Sequence, residues 1–208
     1  MVKVNGPMLS LDASGTIANT ATFSKWKGRN YVRQRVVPSN PKSVLQVAVR
    51  AMFKFLSQAW ENVGATPQGT WDDRAAATNI SPFNAFMARN MALWREFTAP
   101  SQTDPNPGTG TPPVATLDSA VGGESHIDLT FTITTLNDVW GVIIFRSPTG
   151  TFTPSLSNTI AVIPVSGTGT LVHTDSGLTA GTYYYDAKFI TKEGVLGADE
   201  GEVSGAAT

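Results

Sequence analysis

The chain has no cysteine and only two histidines, His126 and His173, among its 208 residues. That excludes a disulfide scaffold and a thiol nucleophile, and it leaves too little for an ordinary zinc site. Charged residues are scarce, at 15%, and no apolar run approaches the ~20 residues of a membrane-crossing helix. The start, MVKVNGPMLSLDASG, lacks the apolar stretch of a secretory signal. A soluble chain made in the cytoplasm, without a membrane span, is the expectation.

Catalytic groups are equally sparse. The adjacent carboxylates Asp72 and Asp73 stand where acids favour a helix N-terminus. The GTG at 108–110 has no strand before it and no helix after it, so it does not read as a phosphate loop. Asp199, Glu200 and Glu202 lack the ligand spacing of a calcium loop and read as a solvated acidic edge. The two histidines fall on separate expected strands. The expectation is a non-enzymatic protein with no metal and no cofactor.

What the chain does have is asymmetry. Residues 1–100 carry twelve Lys/Arg against five acids, and residues 101–208 carry three against eleven. Between the halves runs APSQTDPNPGTGTPP, whose prolines and glycines hold neither a helix nor a central strand. This pattern predicts two domains: a basic α+β module over 1–98 and an all-β sandwich over 113–208, joined by a Pro/Gly/Thr-rich linker over 99–112.

In the C-terminal half, short β-rich runs alternate with turn residues, as in an antiparallel sandwich. Ile127, Leu129, Phe131 and Ile133 alternate with polar residues, giving one buried face. Val139 to Phe145 is denser, as expected of a strand covered on both sides. Further strands are expected at 159–165, 170–175, 182–190 and 200–204. In Leu178-Thr-Ala-Gly181-Thr-Tyr183-Tyr184-Tyr185, a Leu and a Gly precede a Tyr at a strand start, the arrangement of a tyrosine corner. The stretch resembles fibronectin type III domains, an immunoglobulin-like fold. The resemblance makes Tyr184 the corner residue and Phe131 the strand-B core aromatic.

In the N-terminal half, Thr20–Trp26 and Asn30–Val37 flank Lys27-Gly28-Arg29, predicting a β-hairpin with glycine supplying positive φ. Arg29, Tyr31, Arg33 and Arg35 share one face of the second strand. Pro38 and Pro41 end it. Ser39 or Ser43 then caps a long helix to about Val63, whose apolar positions include Leu45, Ala48, Met52, Phe55, Leu56 and Trp60. Thr70 is the expected cap of a short helix through Ala77. Ser81-Pro82 opens a last helix with an aromatic side that includes Phe83, Phe86, Trp94 and Phe97. The half is thus a hairpin plus two long helices, with Trp60 and Trp94 as core residues.

Three readings fit the row Lys25, Lys27, Arg29, Arg33 and Arg35 with Trp26 and Tyr31 interleaved. It can track phosphates, it can keep a sheet edge soluble, or it can dock on an acidic protein surface. The strings GTI, FSKWKGRNYVRQRVVPSNPKS and FNAFMARN also resemble small proteins encoded in tailed-phage and prophage structural-gene clusters, across nearly all of residues 8–97. The resemblance implies a virion component. The expected role is therefore a capsid decoration (cement) protein: the N-terminal module, as a homo-oligomer, holds the major capsid protein or another virion protein, and the sandwich faces outward. The alternatives are a tail or head-fibre component contacting the host surface, and a DNA-binding protein with a sandwich appendage.

Overall fold

In the computed structural model, which describes residues 2–3, 14–17, 20–37 and 42–208, the chain divides into two units, Met1–Pro41 and Lys42–Thr208. In the first, β1 (Val2–Lys3), β2 (Gly15–Ile17), β3 (Ala21–Trp26) and β4 (Arg29–Gln34) form an antiparallel sheet in the order β1-β4-β3-β2. Lys27 and Gly28 both take positive φ, 49° and 76°. That is the requirement of a two-residue type I′ turn, and it sets Trp26 opposite Arg29. The hairpin is as expected, although β4 stops three residues short of Val37. The expected stop at Pro38–Pro41 lies outside the described residues.

The second unit begins with α1 (Val44–Ala59), a single 3₁₀ turn (Trp60–Asn62), α2 (Ala65–Gly69), α3 (Asp72–Thr78) and α4 (Pro82–Arg95). Ser43 occupies the N-cap of α1 but makes no side-chain capping bond. Ser81 caps α4 by accepting from the Asn84 N–H at 3.2 Å, with Pro82 in the first turn. Thr70 does not cap α3. Trp71 holds that position, and the Thr70 hydroxyl instead donates to the Pro67 carbonyl and accepts from the Asp104 N–H. Asp72 and Asp73 sit in the first turn of α3, as expected.

Seven strands follow: β5 (Val114–Gly123), β6 (His126–Thr135), β7 (Val139–Ser147), β8 (Thr159–Pro164), β9 (Gly169–Ser176), β10 (Gly181–Thr191) and β11 (Val203–Ala207). They make a three-stranded sheet, β5-β6-β9, and a four-stranded sheet, β11-β10-β7-β8, both antiparallel. Ile127, Leu129, Phe131 and Ile133 meet Val142, Ile144, Tyr185, Ala187 and Phe189 between them, which is the expected sandwich core.

The four-stranded sheet is covered on its other face too. Val139 pairs with Thr191 and Gly141 with Ile190, so Trp140 is an extra residue at a β-bulge. The slip turns Trp140, Ile143 and Phe145 towards the helices while Val139, Val142 and Ile144 face the sandwich. Phe55 of α1 lies over the bulge, with ring centroids 5.0 Å from Trp140. A Cβ on Gly141 would come within 2.8 Å of the Phe55 ring, so this close approach requires glycine. Phe86, Trp94 and Met52 complete a helix–sheet core with Ile143, Phe145, Val162 and Ile190.

The expected domain plan is corrected here. The division falls at 41/42 rather than at 99–112, and the two long helices belong with the sandwich rather than with the hairpin. The 99–112 segment is irregular but docked. Asn90 of α4, fully buried, holds Ser101 with its side-chain amide: Nδ2–H donates to the Ser101 carbonyl and Oδ1 accepts from the Ser101 N–H, each at 2.9 Å. Trp71 donates its indole N–H to the Gln102 carbonyl at 2.8 Å, Gln102 N–H donates to Lys192, and Arg74 pairs with Asp104 at 2.7 Å. Proline and glycine removed the ladder bonds of this stretch without preventing side chains from satisfying its backbone.

Trp94 tests the shared core. Its ring is fully buried and its indole N–H donates to the Ala48 carbonyl at 3.2 Å. Trp94→Ala should cost about 3–5 kcal/mol in urea denaturation, lowering helix and sheet signals together. Loss of the helical signal alone, with an unchanged sheet transition, would contradict it.

Candidate functional site

The register of the hairpin sorts its side chains between two faces. Opposite residues in an antiparallel pair share a face, so Thr22, Ser24 and Trp26 lie with Arg33, Tyr31 and Arg29. Ala21, Phe23 and Lys25 lie with Gln34, Val32 and Asn30 on the other. Lys25 is therefore removed from the arginine row with which the sequence grouped it, because it is one residue out of phase with Trp26. Lys27 stands in the turn, its ammonium 4.9 Å from the centre of the Trp26 ring. Arg35 follows the strand end, its N–H donating to the Thr20 carbonyl. Trp26 is 64% exposed, and Arg29 and Arg33 are exposed beside a half-buried Tyr31.

This face combines what a polar partner surface needs. Guanidinium groups bind carboxylate or phosphate in two-point fashion, and the aromatic rings offer apolar area with little entropy to lose.

The core residues expected from the sequence are placed as follows. Phe131 is fully buried, edge-on to Phe189 with centroids 6.5 Å apart. Trp60 is half-buried against Phe83 and Phe86. Tyr184 is not the corner residue. The hydroxyl that returns to the backbone is that of Tyr183, which donates to the Thr179 carbonyl at 3.1 Å. Tyr184 points to the opposite face of β10, since neighbours on a strand alternate, and its ring lies against Gly150.

The histidines do not meet. His173 pairs in register with inward-facing Leu129, and His126 is on the outward phase of β6. Burial lowers the pKa of His173. Among the described residues no three His, Asp or Glu side chains converge as metal ligands, and no helix is long and apolar enough to cross a membrane.

The acids near the C-terminus separate as well. Asp199 pairs with Lys188 at 2.8 Å, while Glu202 turns towards the Phe152 N–H. Glu200 is partly buried near Asp186, a buried strand carboxyl that the alternating pattern of β10 did not single out. Burial, then the neighbouring charges of Asp186 and Asp199, pushes Glu200 up to about 6. Burial raises Asp186 in the same direction.

No family of known proteins and no curated protein matches the chain. Solved structures similar to part of it include a β-1,2-glucanase from Parabacteroides distasonis, 22% identical with a TM-score of 0.37 over 48% of this chain. The chain covers only 13% of that enzyme. An Fn3-like protein from Clostridium thermocellum is 21% identical with a TM-score of 0.35, over 47% of this chain and 96% of that one. The FN1–FN3 domains of chicken CNTN1 are 20% identical with a TM-score of 0.30, over 48% of this chain and 35% of that one. The sandwich rests on the strand pairing of the chain itself, and these likenesses carry no argument about what it binds.

A pH dependence follows from Glu200. Its folded pKa of about 6 exceeds its ordinary 4.5, so between these values the native state holds more protons than the unfolded chain. Stability should therefore fall as pH rises from 4.5 to about 6. Urea denaturation at the two ends of that window should show the fall, and Glu200→Gln should flatten it. An unchanged slope in Glu200→Gln would contradict the assignment.

Proposed function

We propose that this chain is a non-enzymatic structural protein of a large assembly, a tailed-phage virion, attached by its first unit and displaying the second. The supporting observation is the hairpin face of Trp26, Arg29, Tyr31 and Arg33, exposed on a unit whose charge differs from the rest of the chain. Met1–Pro41 carries six Lys/Arg and one acid, while 42–208 carries nine Lys/Arg and fifteen acids. The anchor is thus the sheet of residues 1–41, smaller than the 1–98 module that the sequence outlined. The partner is the acidic surface of a capsid protein or another virion protein, and repetition of that surface lets weak single contacts add through avidity.

Co-sedimentation of the purified protein with virions tests this reading. The Arg29→Glu/Arg33→Glu double variant should lose attachment by tenfold or more, about 1.4 kcal/mol. Lys25→Glu, on the opposite face, should retain it. Full attachment of the double variant would overturn the assignment of this face. A steep loss of duplex-DNA binding with added salt, at affinities that match the virion's, would give the face to nucleic acid instead. Copy number in virions, in the hundreds for a shell protein and a handful for a tail protein, separates decoration from fibre.

A further inference from the structure

The helices at the start of the second unit frame a pocket between them. It has a volume of about 410 Å³ and opens between the 3₁₀ turn after α1, the helix α2 and the starts of α3 and α4. That volume lies within the ordinary range for small-molecule sites, roughly 300–1,000 Å³. Trp60 and Phe83 line it, their rings meeting at 62° with centroids 5.9 Å apart, so that they make two walls of a corner. Ala65, Gly69 and Pro82 add apolar surface.

The charge of the pocket has one sign. Among the described residues that line it, Asp72 alone is ionisable. Its side chain is exposed, and among the described residues its carboxylate takes part in no hydrogen bond or ion pair. Arg74, on the same helix, is committed to Asp104 through two bonds, of 2.7 and 3.0 Å. The start of α4 by itself would favour an anion, with roughly half a charge at the helix end. Pro82 brings no N–H there, however, and Ser81 Oγ takes that of Asn84 at 3.2 Å. The full negative charge of Asp72 outweighs what is left.

The polar groups also limit which cation fits. Gln68 spends an amide N–H on the Trp60 carbonyl at 2.9 Å, and the Ser81 hydroxyl is used as the cap of α4. A primary ammonium brings three N–H donors and a guanidinium five, and each needs an acceptor once it leaves water. Beyond Asp72 the surface on offer is mainly aromatic ring, methyl and proline. A cation without N–H groups needs no acceptor. Its alkyl groups lie on the apolar walls while its charge faces the π systems and the carboxylate. We infer that this pocket binds a quaternary ammonium group, a trimethylammonium of the choline type, between the Trp60 and Phe83 rings and the Asp72 carboxylate. The site lies wholly within residues 42–208 and depends on neither the hairpin nor its partner.

The probe is choline, titrated into the full chain while protein amide and choline methyl NMR signals are followed. The controls are ethanolamine, which carries N–H donors, the neutral carbon isostere of choline, which has its shape without its charge, and acetate. Shifts should concentrate at Trp60, Gln68, Gly69, Asp72 and Phe83, and the choline methyl signal should move upfield under the rings. Choline should bind about tenfold more tightly than ethanolamine or the isostere. Asp72→Asn, which removes the charge, and Phe83→Leu, which keeps apolar bulk without the ring, should each weaken binding by about fivefold or more. Gly69→Leu, where an added Cβ meets no atom within 4 Å, should block it with the fold retained. Retention on phosphatidylcholine vesicles together with choline binding gives the group to a lipid headgroup, and choline binding without retention gives it to a free solute; both support the inference. It is overturned by absence of shifts at the pocket, by shifts centred elsewhere, or by acetate moving the same amides as strongly. Ethanolamine or the isostere binding as tightly as choline, unchanged affinity in Asp72→Asn or Phe83→Leu, or full binding by Gly69→Leu would overturn it equally.

Discussion

The packing of Phe55 and Phe86 against the bulged end of β7 is the contact on which the second unit depends. A regular strand would send Trp140 towards the other sheet. The inserted residue reverses its direction, and the gap left by Gly141 receives the Phe55 ring. A single strand then serves two cores. Its outward side chains would otherwise expose Trp140, Ile143 and Phe145 to water, an apolar area of several large residues that the hydrophobic effect strongly disfavours. The helices are there to cover it, and the sandwich without them is an incomplete fold.

From this contact follows the docked path of residues 99–112. The chain leaves α4 on the helical layer and must reach β5 of the far sheet, passing the 191–193 turn. Asn90, Trp71 and Arg74 hold it through Ser101, Gln102 and Asp104, while the Gly108 N–H donates to Glu193. These bonds make the crossing part of the structure. A tether there would let the two layers separate, and the aromatic contact forbids that.

Much of this was legible in the residues. The hairpin was written in Lys27-Gly28, the inner face of β6 in the alternation of Ile127 to Ile133, and the start of α4 in Ser81-Pro82. Even the double cover of β7 was legible, since an unbroken run from Val139 to Phe145 has no wet side. What covers it was not, because a bulge has no residue signature and the proline-rich stretch reads as a boundary when only local bonds are considered. Charge misled in the same way: the basic excess of the first hundred residues merged the hairpin with helices that belong elsewhere. The face assignment failed at Lys25, where one residue of phase decides, and Lys27 and Arg35 fall outside the paired strands; Tyr183 and Tyr184 were exchanged through the same one-residue phase.

Hydrogen exchange of the intact chain tests the shared core most directly. If α1 and α4 close the sheet, the amides of Met52–Leu56 and Phe86–Asn90 exchange only with the same opening that frees β7 and β10, with protection falling in parallel as denaturant is added. Helical amides that exchange through a separate, lower-energy opening while β7 and β10 stay protected would contradict the account.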